Sequence, residues 1–176
     1  MKLPNLAIVP IARGDKSGNW PVGQKGEKSD GVTSLIKDTK GAIGYIEQNY
    51  AAKNHLPTAL LKNKAGKYVK PTTEAVSAAA AAAVSQMTKG LTADIWNQDG
   101  AEAYPIASFS YVMIYKDLAY TKDEAKAKAL VDFWKWASTD GQKLAGPLDY
   151  APVGEEVSKK VGEALNSLTY SGKPVK

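Results

Sequence analysis

The sequence predicts an α/β fold, a mixed and mostly parallel sheet flanked by helices, on three observations. Short apolar, β-rich runs alternate along the chain with runs of helical periodicity. Clusters of glycine and proline separate them. Hydrophobic residues make up 44% and charged residues 23% of the 176, a composition that supports a packed core.

The elements follow in order. "LAIVPIA" (6–12) reads as a short buried strand that Pro10 pushes toward a sheet edge or an early end. A glycine-rich loop follows, and Ser29 or Asp30 is placed to cap a helix through "GVTSLIKDTK", with Val32, Leu35 and Ile36 on one face and Gly41 ending it in the left-handed conformation. "AIGYIE" (42–47) is expected to be a strand in which Gly44 marks a close approach. "QNYAAKNH" is expected to form a short helix, "LPTALLKN" and "YVK" strands joined through the turn "KAGK". Thr72 or Thr73 caps a long helix that runs through the alanines of 77–84. "TADIWNQ" reads as a strand or an extended connection, and "YPIASFSYVMIYK" (104–116) carries the strongest strand signal in the chain. A helix capped by Thr121 is expected next, with an apolar face of Ala125, Ala129, Leu130, Phe133, Trp134 and Ala137. A short helix and turn over "DGQKLAGPLDYAPV" and a last helix over "GEEVSKKVGEALNSL" complete the chain.

Charge and residue usage exclude several function classes. The net charge is +5, but the lysines alternate with acidic residues instead of forming one face, and Arg13 is the only arginine, so no nucleic-acid partner is expected. The chain lacks cysteine and has one histidine, His55, read as a helix-end residue. No metal-ligand spacing, P-loop order or nucleophile elbow occurs, so no metal, cofactor or enzymatic activity is expected. Glu155 and Glu156, beside Lys159 and Lys160, read as a solvated ion-pair face. Met1 and Lys2 lead into a stretch with two prolines and no small-residue cleavage site, so no secretory signal is expected in the chain as given.

One loop carries candidate chemistry. In "ARGDKSGNWPVG" (12–23), Arg13 offers a planar fork to a phosphate or carboxylate, and Asp15 can hold that fork in place. Ser17 adds a hydroxyl, and Gly18 lets backbone N–H groups approach an oxyanion. The same residues also suit a polar turn with one surface ion pair, the commoner outcome of such a stretch. An Arg-Gly-Asp adhesion signal would rest on three residues and has little specificity.

Several stretches together, in a fixed order, resemble the phosphate-specific periplasmic binding proteins of ABC transporters. They are "LPNLAIVPIARGDKSG", "NWPVGQKGEKSDGV", "KGAIGYIEQNYAAKNHL", "NKAGKYVKPT", "AYPIASFSYVMIYK", "DFWKWASTDGQKLAGPLDYAPV" and "SGKPVK". The resemblance implies a class II periplasmic-binding-protein-like lobe that holds dehydrated phosphate through hydrogen bonds, without metal or cofactor. It makes Arg13 the charged donor, Asp15 its orienting partner, Ser17 a hydroxyl donor and Gly18 a backbone donor, with Asn19 where the family has threonine. Lys16 replaces a glycine of that pattern, and the helix that should open at Asn19 is missing.

The resemblance further implies that the chain is about half of such a protein. Residues 1–103 correspond to the second lobe with its anion loop, and 104–176 to the segment that returns to the first lobe. The expected function is then that of an incomplete phosphate-binding component, with weak or no phosphate binding on its own. The alternative is a non-catalytic interaction or scaffold module, or a split-protein fragment, that oligomerises or docks a partner. The implied partners are inorganic phosphate, a missing lobe or a second copy, and the membrane subunits of the transporter; the implied compartment is the periplasm.

Overall fold

The computed structural model describes residues 23–87 and 90–175. Helix α1 spans Lys28–Asp38 and begins before either expected cap: Glu27 occupies the N-cap without a side-chain bond, while Asp30 sits in the first turn, where a carboxylate favours the helix dipole. Thr33 is buried and its hydroxyl donates to the Ser29 carbonyl at 2.6 Å. Thr39 is the C-cap, and Gly41 takes the expected left-handed conformation at φ +81°.

Residues 42–47 do not form the expected strand; they run as an irregular connection with Ile43 almost fully open to solvent. The close approach at Gly44 is present, because a Cβ there would lie 2.7 Å from the Ile36 side chain of α1. Helix α2, Gln48–Lys53, packs against α1. His55 lies just past its end at φ +52° and its N–H donates to the Ala52 carbonyl at 3.1 Å, the helix-end position expected.

Strands β1 (Leu61–Lys62) and β2 (Tyr68–Val69) form an antiparallel hairpin with Leu61 opposite Val69, and Gly66 supplies the positive φ that its turn requires. Asn63 is buried beneath this turn: its Oδ1 accepts from Lys67 N–H at 2.9 Å, and its Nδ2 reaches the carbonyls of Gly100, Ala101 and Ala103 at 2.8–3.1 Å. One side chain therefore fastens the hairpin to a turn some 40 residues downstream.

Helix α3, Thr73–Ala83, starts as expected, with Thr72 Oγ1 accepting from Ala75 N–H at 3.2 Å. Its buried alanines Ala79 and Ala83 meet Ile95, Ala103 and Ala107 in a first core, flanked by Val76 and Phe109. Residues 91–97 form a turn-rich connection that inserts Ile95 into this core.

The strongest strand signal, 104–116, is not realised as a strand: these residues are bends and irregular backbone. A 3₁₀ turn, Leu118–Thr121, leads to α4, Glu124–Ala137. Its cap is Asp123, not Thr121: the Asp123 carboxylate accepts from Ala125 N–H at 2.8 Å, while the Thr121 hydroxyl engages the carbonyls of Leu118 and Asp123. The apolar face is also rotated from the expected one. Ala127 and Val131 are buried with Leu130 and Trp134 beside them, whereas Ala125 and Ala129 face solvent and Phe133 and Trp136 are about half exposed.

Two 3₁₀ turns, Asp140–Leu144 and Gly146–Leu148, replace the expected short helix. Helix α5, Glu155–Asn166, forms as expected and packs on α4. The ion pairs among the described residues are Lys64–Asp99, Lys128–Asp132 and Lys143–Asp140, so Glu155 and Glu156 do not build the expected ion-pair face. The second core gathers Leu118, Ala127, Val131, Leu165 and Leu168, with Ile114 and Tyr170 packed against it.

A C-terminal antiparallel hairpin of β3 (Thr169–Tyr170) and β4 (Lys173–Pro174) closes the chain. Both sheets among the described residues are thus two-stranded and antiparallel, and the parallel contact among them is a single bridge between Asp117 and Thr169. The mostly parallel sheet expected from sequence is absent from these residues. Strand-like runs such as 42–47 and 104–116 have no neighbouring strand there, and an extended run without a partner makes no ladder. No helix among the described residues is long and apolar enough to cross a membrane.

Candidate functional site

The anion loop expected from sequence, Arg13, Asp15, Ser17, Gly18 and Asn19, lies outside the described residues. What the structure places is its continuation. Gly23 and the residues after it lead into α1, where Gly26 lies against the backbone of the first helical turns. A Cβ on Gly26 would come within 2.3 Å of Val32 N and 2.5 Å of the Gly31 carbonyl carbon. Glycine is required here for space, and the contact sets the angle at which the chain leaves the loop for the helix.

Among the described residues, polar side chains converge at two further places, neither foreseen from sequence. Asp117 accepts from the N–H groups of Ala119 at 2.9 Å, Ser171 at 3.1 Å and Gly172 at 2.7 Å, and from the Thr169 hydroxyl at 3.0 Å. The N–H groups of Ala119 and then Gly172 contribute most to holding its carboxyl below the usual carboxylate range, against a smaller opposing effect of burial. The signal in the sequence is an Asp that opens a turn, "KDLAYT", which reads locally as a cap and says nothing of its partners beyond position 168.

Because the folded carboxyl titrates below its unfolded value, its contribution is present above the unfolded pKa, roughly 3.9. That contribution is lost as pH falls through the lower folded value. Asp117→Asn puts an amide donor among these donors, so the variant is expected to unfold at lower urea than the parent at pH 7. The difference should shrink toward pH 3. A pH-independent difference in urea midpoints would show that the carboxylate's charge is not what holds the C-terminal hairpin.

The second cluster joins distant parts of the chain. Tyr150 donates its hydroxyl to Glu47 Oε2 at 3.1 Å, and Asn49 Nδ2 donates to Tyr150 Oη at 3.3 Å. Burial first, and then the Glu47 carboxylate, raise the Tyr150 phenol above its ordinary value. This is a structural link between the start of α2 and the loop before α5. No group of three or more His, Asp or Glu that could hold a metal occurs among the described residues.

A cavity of about 400 Å³ opens between residues 109–114 and helices α4 and α5, lined mainly by apolar side chains such as Phe109, Ile114, Trp134 and Val161. Ser110, Ser138 and Gln142 are its main polar lining. Gln142 is already engaged, donating to the Ala137 carbonyl and accepting from Val153 N–H. The cavity has no charged side chain with which to receive an anion.

The motifs and their order along the chain point to one class of protein, and comparison with known families identifies it. A family model described as a PBP superfamily domain matches residues 2–138, and the chain belongs to that superfamily. Within it, the chain is similar to proteins named phosphate-binding protein PstS. It is 37% identical to that of Pasteurella multocida over 83% of this chain and 42% of the relative. It is 34% identical to that of Haemophilus influenzae over 89% of this chain and 54% of the relative. With that of Methanocaldococcus jannaschii, it is 36% identical over 95% of this chain and 53% of the relative. The chain therefore spans about half the length of these relatives. The last match extends over 210 residues, more than the 176 of this chain, so that relative carries residues inside the matched region that have no counterpart here.

Proposed function

We propose that the chain is a phosphate-binding lobe of a substrate-binding component of an ABC phosphate transporter, acting in the periplasm and without catalysis. The observation that carries this reading is the similarity to phosphate-binding proteins over most of the chain, within a family match that includes the loop 13–19. In this reading Arg13 is the charged, bidentate donor, Asp15 orients it, Ser17 donates its hydroxyl, and Gly18 and Asn19 bring backbone N–H groups to the oxyanion. Selectivity for phosphate comes from charge-assisted hydrogen bonds in a site closed to water, and the transporter's membrane subunits are the onward partners.

The reading divides the chain at residues 103 and 104, the first part carrying the anion loop. It also predicts weak binding by this chain alone. Anion sites of this strength need burial from both sides, and a single lobe leaves one side of the phosphate hydrated. Titration calorimetry with inorganic phosphate is expected to give a Kd of roughly millimolar or weaker, about −4 kcal/mol. Arg13→Ala should abolish the residual heat. Tight binding by the isolated chain would overturn the expectation of weak binding, and binding indifferent to Arg13→Ala would refute the assignment of this loop.

A second reading, an interaction module, is favoured by one specific observation: large apolar side chains stand open to solvent along 106–115.

A further inference from the structure

We propose that the uncharged run Ile106–Tyr115 is an edge through which two copies of this chain associate. The inference rests on the interaction-module reading and does not depend on phosphate binding. The run is held in place from both ends. The Pro105 carbonyl accepts from Asn97 N–H at 2.9 Å, and the Lys116 carbonyl accepts from Thr169 N–H at 2.9 Å. In between, Phe109 packs on the first core and Ile114 on the second, and the Tyr111 hydroxyl engages the backbone of Ala93. Yet among the described residues no backbone–backbone hydrogen bond reaches positions 106–115. An anchored segment whose N–H and C=O groups make no backbone bond to the other described residues is a template for another strand.

Its outer surface is suited to a copy of itself. Ile106, Tyr111, Val112, Met113 and Tyr115 are all at least half exposed, Met113 at 97%. Aromatic side chains of roughly 150–250 Å² and somewhat smaller aliphatic ones, exposed to this degree, offer several hundred Å² per copy. That approaches the roughly 800 Å² per partner of a standard interface. Two chains of net charge +5 repel one another over most of their surfaces, but from Ala103 to Tyr115 there is no charged residue. Antiparallel pairing about a twofold axis brings apolar residues opposite apolar ones and sets the Lys116 end of one copy against the Glu102 end of the other. Both of these side chains are exposed and in none of the ion pairs among the described residues.

The test is sedimentation velocity of the whole chain from about 1 to 500 µM, a range that brackets micromolar self-association. The weight-average mass is expected to rise from monomer to dimer with concentration. Met113→Lys, which puts an unpaired charge into the apolar surface that association would bury, should weaken association by about ten-fold or more. Ile43→Lys, equally exposed but elsewhere, should leave it unchanged. Far-UV circular dichroism identical to the parent would show that both variants fold. A monomer at every concentration overturns the proposal, as does association that survives Met113→Lys or that Ile43→Lys abolishes equally. Protection of Met113 from peroxide oxidation in a strictly monomeric chain would also overturn it, by assigning the cover to another part of the same chain.

Discussion

Leu118→Ala is expected to lower the free energy of unfolding by about 3–4 kcal/mol, near the middle of the range for buried leucines. Leu118 is fully buried, and its side chain sits where α4, α5 and the C-terminal hairpin meet. Its neighbours Ala127, Val131, Leu165 and Leu168 belong to three different segments, so the surroundings are poorly placed to collapse into the space left behind. A domain of this size is stable by only about 5–15 kcal/mol, and the variant should lose a large share of that. Urea unfolding followed by circular dichroism measures the change, and Leu118→Met, which keeps the volume, should recover most of it. A loss below about 1 kcal/mol would mean that the second core is not a single packed unit.

Gly26→Ala is the second large effect. A methyl group at that position meets backbone atoms, Val32 N at 2.3 Å and Val32 Cα at 2.7 Å, and backbone cannot rotate away. The chain before α1 must shift, at a cost of about 1–3 kcal/mol. Gly44→Ala is the informative comparison. There the clash is with the Cδ1 methyl of Ile36, the free end of a side chain with other rotamers available. The urea midpoint should therefore fall more for Gly26→Ala than for Gly44→Ala, and the reverse order would contradict the geometry. Because residues 23–27 join the anion loop to α1, Gly26→Ala is also expected to reduce any phosphate heat that Arg13 supports.

Helices were legible in the sequence because their signals are local. Thr72 caps α3 and glutamates open α5, and both helices form where periodicity and capping place them. The phase of α4 was harder to read, since Ala125, Ala127 and Ala129 put small apolar residues on both sides of the helix. The expected cap, Thr121, lies two residues too early; Asp123 takes the position by accepting from both Ala125 and Lys126 N–H groups. Strands failed for a different reason. The run 104–116 has the composition of a strand, but pairing depends on a neighbour that no local pattern specifies, and none is present among the described residues. The residues of the loop, Arg13, Asp15, Ser17 and Gly18, suited an anion cradle and a polar turn alike, and the resemblance favoured the cradle and added Asn19; all five lie outside the described residues. Asp117 and Asn63, whose distant partners lie some 40 to 55 residues away, carried no signal that sequence spacing could reveal.

The first core has a consequence for how this chain can vary. Four of its five buried residues, Ala79, Ala83, Ala103 and Ala107, are alanines. Only glycine is smaller, so nearly every substitution at these positions adds atoms where there is no space for them. Removal of bulk, the usual injury to a hydrophobic core, has little to act on except Ile95. Change there works as a ratchet: a larger residue on α3 can be accommodated only if Ile95 or Phe109 becomes smaller in the same step or before it.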